Sequence, residues 1–261
     1  MKVFSLICSL FFILNQNIPS AAARSIAPPS QTRQEAERLW ELAIDAKGGR
    51  GRLHSVGNIL VAIQTRHYQN IELSVFPDKF WRLSNSPEPL GRSALMFNLE
   101  RGFGFTADEN RPGGGAVRLH QSNLGGGAVV LEEAQIFYLL ETRWLKPSVV
   151  GVSEERVGGR RVDVVRVMAG DRPVDYYLDR KTHLPLKVAL ISKQSGAVYF
   201  YRTFSDYAPV DGIQMPRTVN VDGDGRLPIS FRFNVDYDQQ LFERPPSAAE
   251  SADAWKAKPS S

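Results

Sequence analysis

The sequence contains one cysteine in 261 residues. That residue, Cys8, lies within an apolar run near the N-terminus, so a chain shortened beyond it would have no disulfide and no thiol nucleophile. Neither sign of charge dominates, because 32 lysines and arginines are interspersed with 28 aspartates and glutamates, for a net charge of +4. This balance does not indicate nucleic acid or an anionic surface as a partner.

The short motifs of common enzymes are also missing. The sequence has no GxSxG, SxxK or HExxH motif and no phosphate-binding glycine loop. Its histidines are isolated, with no pair at i and i+4 that could hold a metal ion. The acidic turn at 222–225 has too few oxygen ligands for a calcium loop and is better explained as a hairpin turn. We therefore expect no enzymatic activity, no catalytic residue, no metal and no cofactor.

Long hydrophobic runs are limited to the N-terminus. Lys2 is followed by about 12 mostly apolar residues, whereas a membrane-spanning helix needs about 20. Three small residues then end at Ala23, and this order is typical of a secretory signal peptide that is cut after Ala23. A segment that stays attached as a membrane anchor is the alternative. We expect a periplasmic protein.

The remaining chain is long enough for one large domain. Residues 24–32 are predicted to form a flexible leader and residues 33–246 a single domain. Residues 247–261, which are rich in Ser, Ala and Lys, are predicted to be a disordered tail.

Two segments have the pattern of helices. In residues 33–46 the apolar positions recur every three or four residues, and Gly48-Gly49 ends the segment. Residues 128–144 form a second predicted helix that is apolar around more than half of its circumference, so it should be buried on two sides or lie over an apolar space. The glycine triplets at 113–115 and 125–127 are predicted to be mobile loops.

From Asn58 onward the apolar period changes to two, which indicates strands. The clearest alternation runs through residues 229–237. About ten such strands follow one another with short turn signals between them, an arrangement that favours antiparallel neighbours. The predicted class is therefore α+β, mostly antiparallel β.

Many large aromatic residues lie in the first 145 residues. Any one of them, taken alone, is best explained as ordinary core under a twisted sheet. As a group they favour a curved sheet with a partly filled concave face, where an apolar pocket could hold an acyl chain at about 0.8 kcal/mol for each buried methylene. The residues predicted to line this cavity or its lid are Leu39, Trp40, Ile44, Phe80, Trp81, Phe97, Phe103, Phe105, Phe137, Tyr138 and Trp144.

Four stretches carry a family resemblance. They are Ala46-Lys47-Gly48-Gly49 at the end of the first helix and residues 175–187, 204–216 and 240–245. Together with the order helix, strands, helix, strands over most of residues 33–245, they resemble the LolA-like family of periplasmic outer-membrane lipoprotein-sorting (carrier) proteins. Each stretch also has a structural explanation, since Gly212, for example, permits the positive φ of a tight turn.

The resemblance implies an open antiparallel half-barrel with helices covering a hydrophobic concave face. It implies a non-enzymatic carrier of lipoprotein acyl chains or another lipid, with inner- and outer-membrane lipoprotein machinery as partners and no nucleic acid. One alternative is a secreted hydrolase with a carboxylate site assembled from distant residues, for which Asp206 and Asp211 are one pair, although the turn they flank explains both. The other is an envelope sensor of lipids or lipoproteins.

Overall fold

The computed structural model describes residues 33–65, 69–86, 91–110, 116–221 and 225–246. The predicted signal peptide, leader and C-terminal tail lie outside these residues. So do the glycine triplet at 113–115 and the acidic residues of the turn at 222–225.

The described residues form three α-helices, thirteen β-strands and two short 3-10 turns. The helices are α1 (Arg33–Lys47), α2 (Arg50–Ser55) and α3 (Leu124–Tyr138), and the 3-10 turns are Gln121–Asn123 and Gln239–Phe242. The strands are β1 (Asn58–Gln64), β2 (Gln69–Val75), β3 (Lys79–Asn85), β4 (Arg92–Asn98), β5 (Phe103–Asp108), β6 (Val117–Arg118), β7 (Ser148–Val157), β8 (Arg160–Ala169), β9 (Arg172–Asp179), β10 (Pro185–Ile191), β11 (Val198–Val210), β12 (Ile213–Val221) and β13 (Arg226–Phe233).

All the strands belong to one sheet, in the order β6-β5-β4-β3-β2-β1-β13-β12-β11-β10-β9-β8-β7. Consecutive strands are antiparallel neighbours within β1 to β6 and within β7 to β13. The two series are joined where β1 pairs with β13, with Val61 opposite Phe231. Strands β6 and β7 lie at the two ends of the order, so the sheet is open. The architecture is an α+β open half-barrel, as predicted.

The predicted number of strands, about ten, is too low. The two-residue β6 and the edge strand β7 were not predicted. Strand β7 has one neighbour and is largely exposed, so charged residues replace the apolar alternation in its second half. Strand β13, by contrast, ends at Phe233 rather than at Tyr237, because Asn234 turns the chain with a φ of 49° and accepts a hydrogen bond from the backbone N–H of Gly57.

The two faces of the sheet are covered differently, because alternate residues of a strand point to opposite faces. We call the face that carries α1 and α3 the inner face, and the other the outer face. On the inner face α1 packs against β7, β8 and β12, while α3 packs against β2 and β3. The connection from β6 to β7 must pass from one edge of the sheet to the other. Because α3 lies in this connection, it is placed across the inner face.

Helix α3 differs at both ends from the predicted 128–144. It begins earlier, so the glycines at 125–127, which were predicted to be a mobile loop, lie inside the helix. It ends at Tyr138, because Leu140 has a φ of 68° and the following turn is closed by Thr142, whose Oγ1 accepts a hydrogen bond from the backbone N–H of Trp144. Trp144 therefore lies beyond the helix.

At Gly127, helix α3 has no room for a side chain. A Cβ atom at Gly127 would lie 2.7 Å from Cγ of Phe97 on β4, whereas a Cβ at Gly125 or Gly126 would meet nothing within 4 Å. The backbone of α3 therefore approaches β4 more closely at Gly127 than a side chain would allow.

Gly127→Ala and Gly126→Ala are expected to change the stability in opposite directions. Alanine is better than glycine in a helix, so Gly126→Ala should raise the free energy of unfolding by about 0.5–1 kcal/mol. Gly127→Ala should lower it by about 1–3 kcal/mol, since the buried Phe97 would have to move. Urea unfolding of the two variants measures both effects. Two changes of the same sign would contradict the close approach.

Candidate functional site

Most of the residues predicted to line a cavity meet on the inner face. Trp40 of α1 lies edge-on to Tyr176 of β9, with ring centroids 4.9 Å apart. Tyr138 of α3 lies 5.0 Å from the ring of Phe231 on β13. Side chains of both helices thus pack on the inner face of the sheet. Members of the predicted set in this buried cluster are Leu39, Trp40, Ile44, Phe80, Phe97, Phe137 and Tyr138, with Trp144 partly buried against it.

Three residues of the predicted set lie on the outer face instead. Trp81, Phe103 and Phe105 belong to a separate cluster that includes Phe242 of the C-terminal 3-10 turn. Successive residues of a strand point to opposite faces, so Phe80 and its neighbour Trp81 cannot both face inward. The structure does not bring these three aromatic residues to the inner face.

The prediction from sequence missed the inner-face aromatic residues of the second strand series. They belong to strands whose alternation was recognised, but nothing local indicated that β13 would pair with β1 and bring them under the helices. These residues are Tyr176, Phe200, Phe204, Tyr207, Phe231 and Phe233.

Ion pairs connect α1, α2 and the turn after α3. The side chain of Glu141 is only 7% exposed, and its Oε1 accepts a hydrogen bond from Arg50 Nε at 2.6 Å and lies 2.9 Å from His54 Nε2. Arg50 also pairs with Glu41 of α1 at 2.8 Å. Its hydrogen bonds to Glu41 and Glu141 raise the pKa of Arg50 above its ordinary value. We call these four residues the Glu141 cluster.

A second set of ion pairs connects α3 to β9. Arg172 lies 3.1 Å from a carboxylate oxygen of Glu132 and 3.3 Å from one of Glu133. Burial raises the pKa of both carboxyl groups, although the positive charge of Arg172 acts in the opposite direction on Glu132, and those of Arg202 and Arg172 do so on Glu133. Helix α3 is therefore held by polar contacts as well as by its apolar face.

Lys47, the last residue of α1, is a buried cation that was not among the predicted site residues. Its Nζ donates a hydrogen bond to the backbone oxygen of Gln214 on β12 and lies 3.2 Å from Sδ of Met215. Burial lowers the pKa of Lys47 to about 7. The next residue, Gly48, has a φ of 128°, and a Cβ there would clash with the backbone oxygen of Gly212. The end of α1 therefore packs closely against the hairpin formed by β11 and β12.

A further cation, Arg202 of β11, lies beside the end of α3. Its guanidinium carbon is 4.6 Å from the ring centroid of Phe137 and 5.6 Å from that of Phe200. Its Nη1 donates a hydrogen bond to the hydroxyl of Tyr138. Burial raises the pKa of that hydroxyl to about 12, although the charge of Arg202 acts to lower it.

The hairpin of β11 and β12 accounts for Asp206 and Asp211, the carboxylate pair of the hydrolase alternative. Asp206 and Asp211 have φ values of 59° and 49°. Asp206 accepts hydrogen bonds from Thr218 at 2.8 Å and from Arg226 at 3.0 Å. Across the described ranges, no three His, Cys, Asp or Glu side chains are grouped so that they could hold a metal ion. None of the described helices has the length and apolar character needed to cross a membrane.

Several solved structures are similar to this chain. A LolA superfamily protein from Nitrosomonas europaea has 13% identity and a TM-score of 0.46, with 79% of this chain and 96% of that chain covered. An outer membrane lipoprotein-sorting protein domain from Vibrio parahaemolyticus has 16% identity and a TM-score of 0.43, with 79% and 97% covered. A DUF1329 family protein from Desulfovibrio piger has 13% identity and a TM-score of 0.45, with 79% and 96% covered.

No protein-family model and no curated protein sequence matches the chain. The similar structures include LolA-like proteins, the family that the sequence resembles. At these identities and scores, the likeness contains no information about a cargo.

Proposed function

We propose that the protein is a non-enzymatic periplasmic carrier that binds the acyl chain of a lipid or lipoprotein against the inner face of its half-barrel. The observation that supports this most directly is the packing of α1 and α3 on an apolar inner face to which both strand series contribute. Neither helix is part of the sheet. Displacing a helix would therefore break side-chain contacts and leave the hydrogen bonds between strands intact.

Competition between helices and cargo would keep binding reversible. A buried 16-carbon chain contributes on the order of 10 kcal/mol before the entropy of association is subtracted. The helix side chains occupy the same surface, so the net affinity is the difference between the two states. Such a carrier could release its cargo to membrane machinery, and we infer inner- and outer-membrane lipoprotein machinery as its partners.

Trp40→Ala and Phe137→Ala are expected to raise the affinity of the folded protein for a fluorescent fatty-acid probe, each by roughly tenfold. Each truncation weakens the helix packing that competes with the chain. Each also lowers the free energy of unfolding, by about 3–5 kcal/mol. Probe titration corrected for the folded fraction measures the affinity.

Trp81→Ala is the matched control for this experiment. Trp81 is as fully buried as Trp40, at 1% and 3% exposed, but lies in the outer-face cluster. It should lose similar stability without changing the probe affinity. If the Trp40 and Phe137 variants lose stability while their folded fractions bind the probe as the wild type does, the two helices are not a lid.

Native mass spectrometry of the protein purified from the periplasm, with lipid extraction, tests the cargo directly. A co-purified acyl lipid or lipoprotein would support the carrier and identify what it binds. The mass also tests the proposed cleavage after Ala23. A cargo-free mass, together with no uptake of the fatty-acid probe, would contradict the proposed function.

A further inference from the structure

Arg202 places a permanent positive charge where an apolar cargo alone would not need one. It lies on β11 between Phe200 and Phe204, which both pack in the inner-face cluster. Its guanidinium lies over the ring of Phe137, on the helix proposed to cover the cargo. An arginine in this position has its charge beside the apolar surface rather than in open solvent.

The guanidinium has more donors than acceptors around it. An arginine carries five N–H groups. One of those on Nη1 is used by the hydroxyl of Tyr138. The Nε atom is buried and has no hydrogen-bond partner in the part of the chain that the structure describes. A buried donor without an acceptor is costly, so this group is suited to an acceptor that arrives with a ligand.

The carboxylates nearest to this region are bonded to other residues. Glu133 and Glu72 are the negative charges that act on Tyr138 together with Arg202. Glu133 lies 3.3 Å from Arg172, and Glu72 accepts a hydrogen bond from Asn70 at 2.8 Å. Neither carboxylate lies within ion-pair distance of Arg202 in the described residues, although the charge of Arg202 acts to lower the pKa of Glu133. The guanidinium therefore retains donors for an added anion.

We propose that Arg202 binds the anionic head group, a carboxylate or a phosphate, of a cargo whose hydrocarbon chain lies on the inner face; this rests on the proposed carrier function. The planar guanidinium matches two oxygens of either group, and a charge-assisted hydrogen bond is stronger where water is excluded. The Tyr138 hydroxyl is a second donor at the same place. The hydrocarbon would continue from the head group past Phe137 and Phe200.

The test compares three ligands that share one chain length and differ only in head group: dodecanoate, dodecyl phosphate and dodecanol. Each is titrated against the full-length mature protein at pH 8, by displacement of the fluorescent fatty-acid probe and by calorimetry. The wild type should bind at least one of the two anions roughly tenfold more tightly than dodecanol. The anion that binds better identifies the head group.

Arg202→Met should abolish the preference for that anion over dodecanol. The ratio of the two affinities is the readout, because the change also removes the contacts of Arg202 with Phe137 and Tyr138 of α3. Arg202→Lys keeps the charge without the planar fork and should give an intermediate preference. If the methionine variant does not fold, the reduced preference of the lysine variant is the test of the head-group site. Arg217→Met removes an exposed arginine from the neighbouring strand β12 and should change neither affinity.

The outcomes separate this inference from the carrier function. Equal wild-type affinities for the anions and dodecanol would overturn the head-group site while leaving the carrier intact. A preference for the anion that persists in both Arg202 variants would overturn it as well. No binding of any of the three ligands would contradict the carrier function itself.

Discussion

Replacing Lys47 by methionine is expected to raise the free energy of unfolding at pH 7 by about 1–4 kcal/mol. The Lys47 side chain is 1% exposed, and its partners are a backbone oxygen and a thioether sulfur rather than a carboxylate. Methionine has a similar length and no charge to bury. The gain should be smaller at pH 9, because Lys47 is then mostly neutral in the folded protein.

The direction of this pH dependence follows from the pKa of Lys47. A fall from 10.5 in the unfolded chain to about 7 in the folded protein means that the unfolded chain binds the proton more tightly. Stability rises with pH wherever the unfolded state binds more protons. The free-energy cost of burying the Lys47 charge is therefore complete below pH 7, decreases as the pH rises and is absent above pH 10.5. Between pH 7 and pH 9 the wild type should gain about 2 kcal/mol from this group.

Urea unfolding of the wild type and Lys47→Met at pH 7, 8 and 9 measures the difference. The upper limit avoids the buried tyrosines Tyr138, Tyr176 and Tyr207, whose raised pKa values lower the stability from about pH 10 upward. Lys181→Met, at an exposed turn position, is the control and should keep the wild-type slope. A Lys47→Met variant with that same slope would show that Lys47 is not a buried cation.

Replacing Glu141 by glutamine is expected to lower the free energy of unfolding by about 1–3 kcal/mol. Glu141 is buried, and its one carboxylate serves both Arg50 and His54. Glutamine has nearly the same shape but loses the charge that these two partners share. Under the proposed function, the same change should also increase the affinity for the fatty-acid probe, because the Glu141 cluster connects α1 and α2 to the turn after α3.

Glu37→Gln is the control for this variant. Glu37 also pairs with an arginine, Arg33, but the side chains of both residues are largely exposed, at 49% and 74%. Exposed pairs contribute about 0–1 kcal/mol, so the stability and probe affinity should hardly change. Chemical unfolding measures the stability of both variants, and probe titration measures their affinity for the fatty-acid probe. An unchanged stability in Glu141→Gln would show that the cluster does not hold the helices in place.

Two of the sequence stretches that carry the family resemblance contact each other in the folded chain. The stretch that ends α1 and the turn that contains Gly212 are far apart in sequence, yet they touch in the structure. Gly48 leaves no room for a side chain beside the backbone of Gly212, and Lys47 donates to the backbone of Gln214 just after it. Each stretch by itself predicted only a helix end or a turn.

Some features of this protein were determined by local sequence. The bounds of α1 follow from its apolar spacing and from Gly48-Gly49, and the predicted 33–46 is close to the observed Arg33–Lys47. The antiparallel strands follow from alternating residues and short turns, since both signals act over a few neighbouring positions. These features depend on contacts within one element or between consecutive elements.

Other features were decided only by tertiary structure. The pairing of β1 with β13 brings Phe231 under α3. The close approach of Gly127 to Phe97 depends on α3 lying over β4, and the environment of Arg202 depends on the end of α3 lying over β11. In each case the partners are remote in sequence. No local spacing encodes them, because burial and charge environment arise only when the strand order places distant segments side by side.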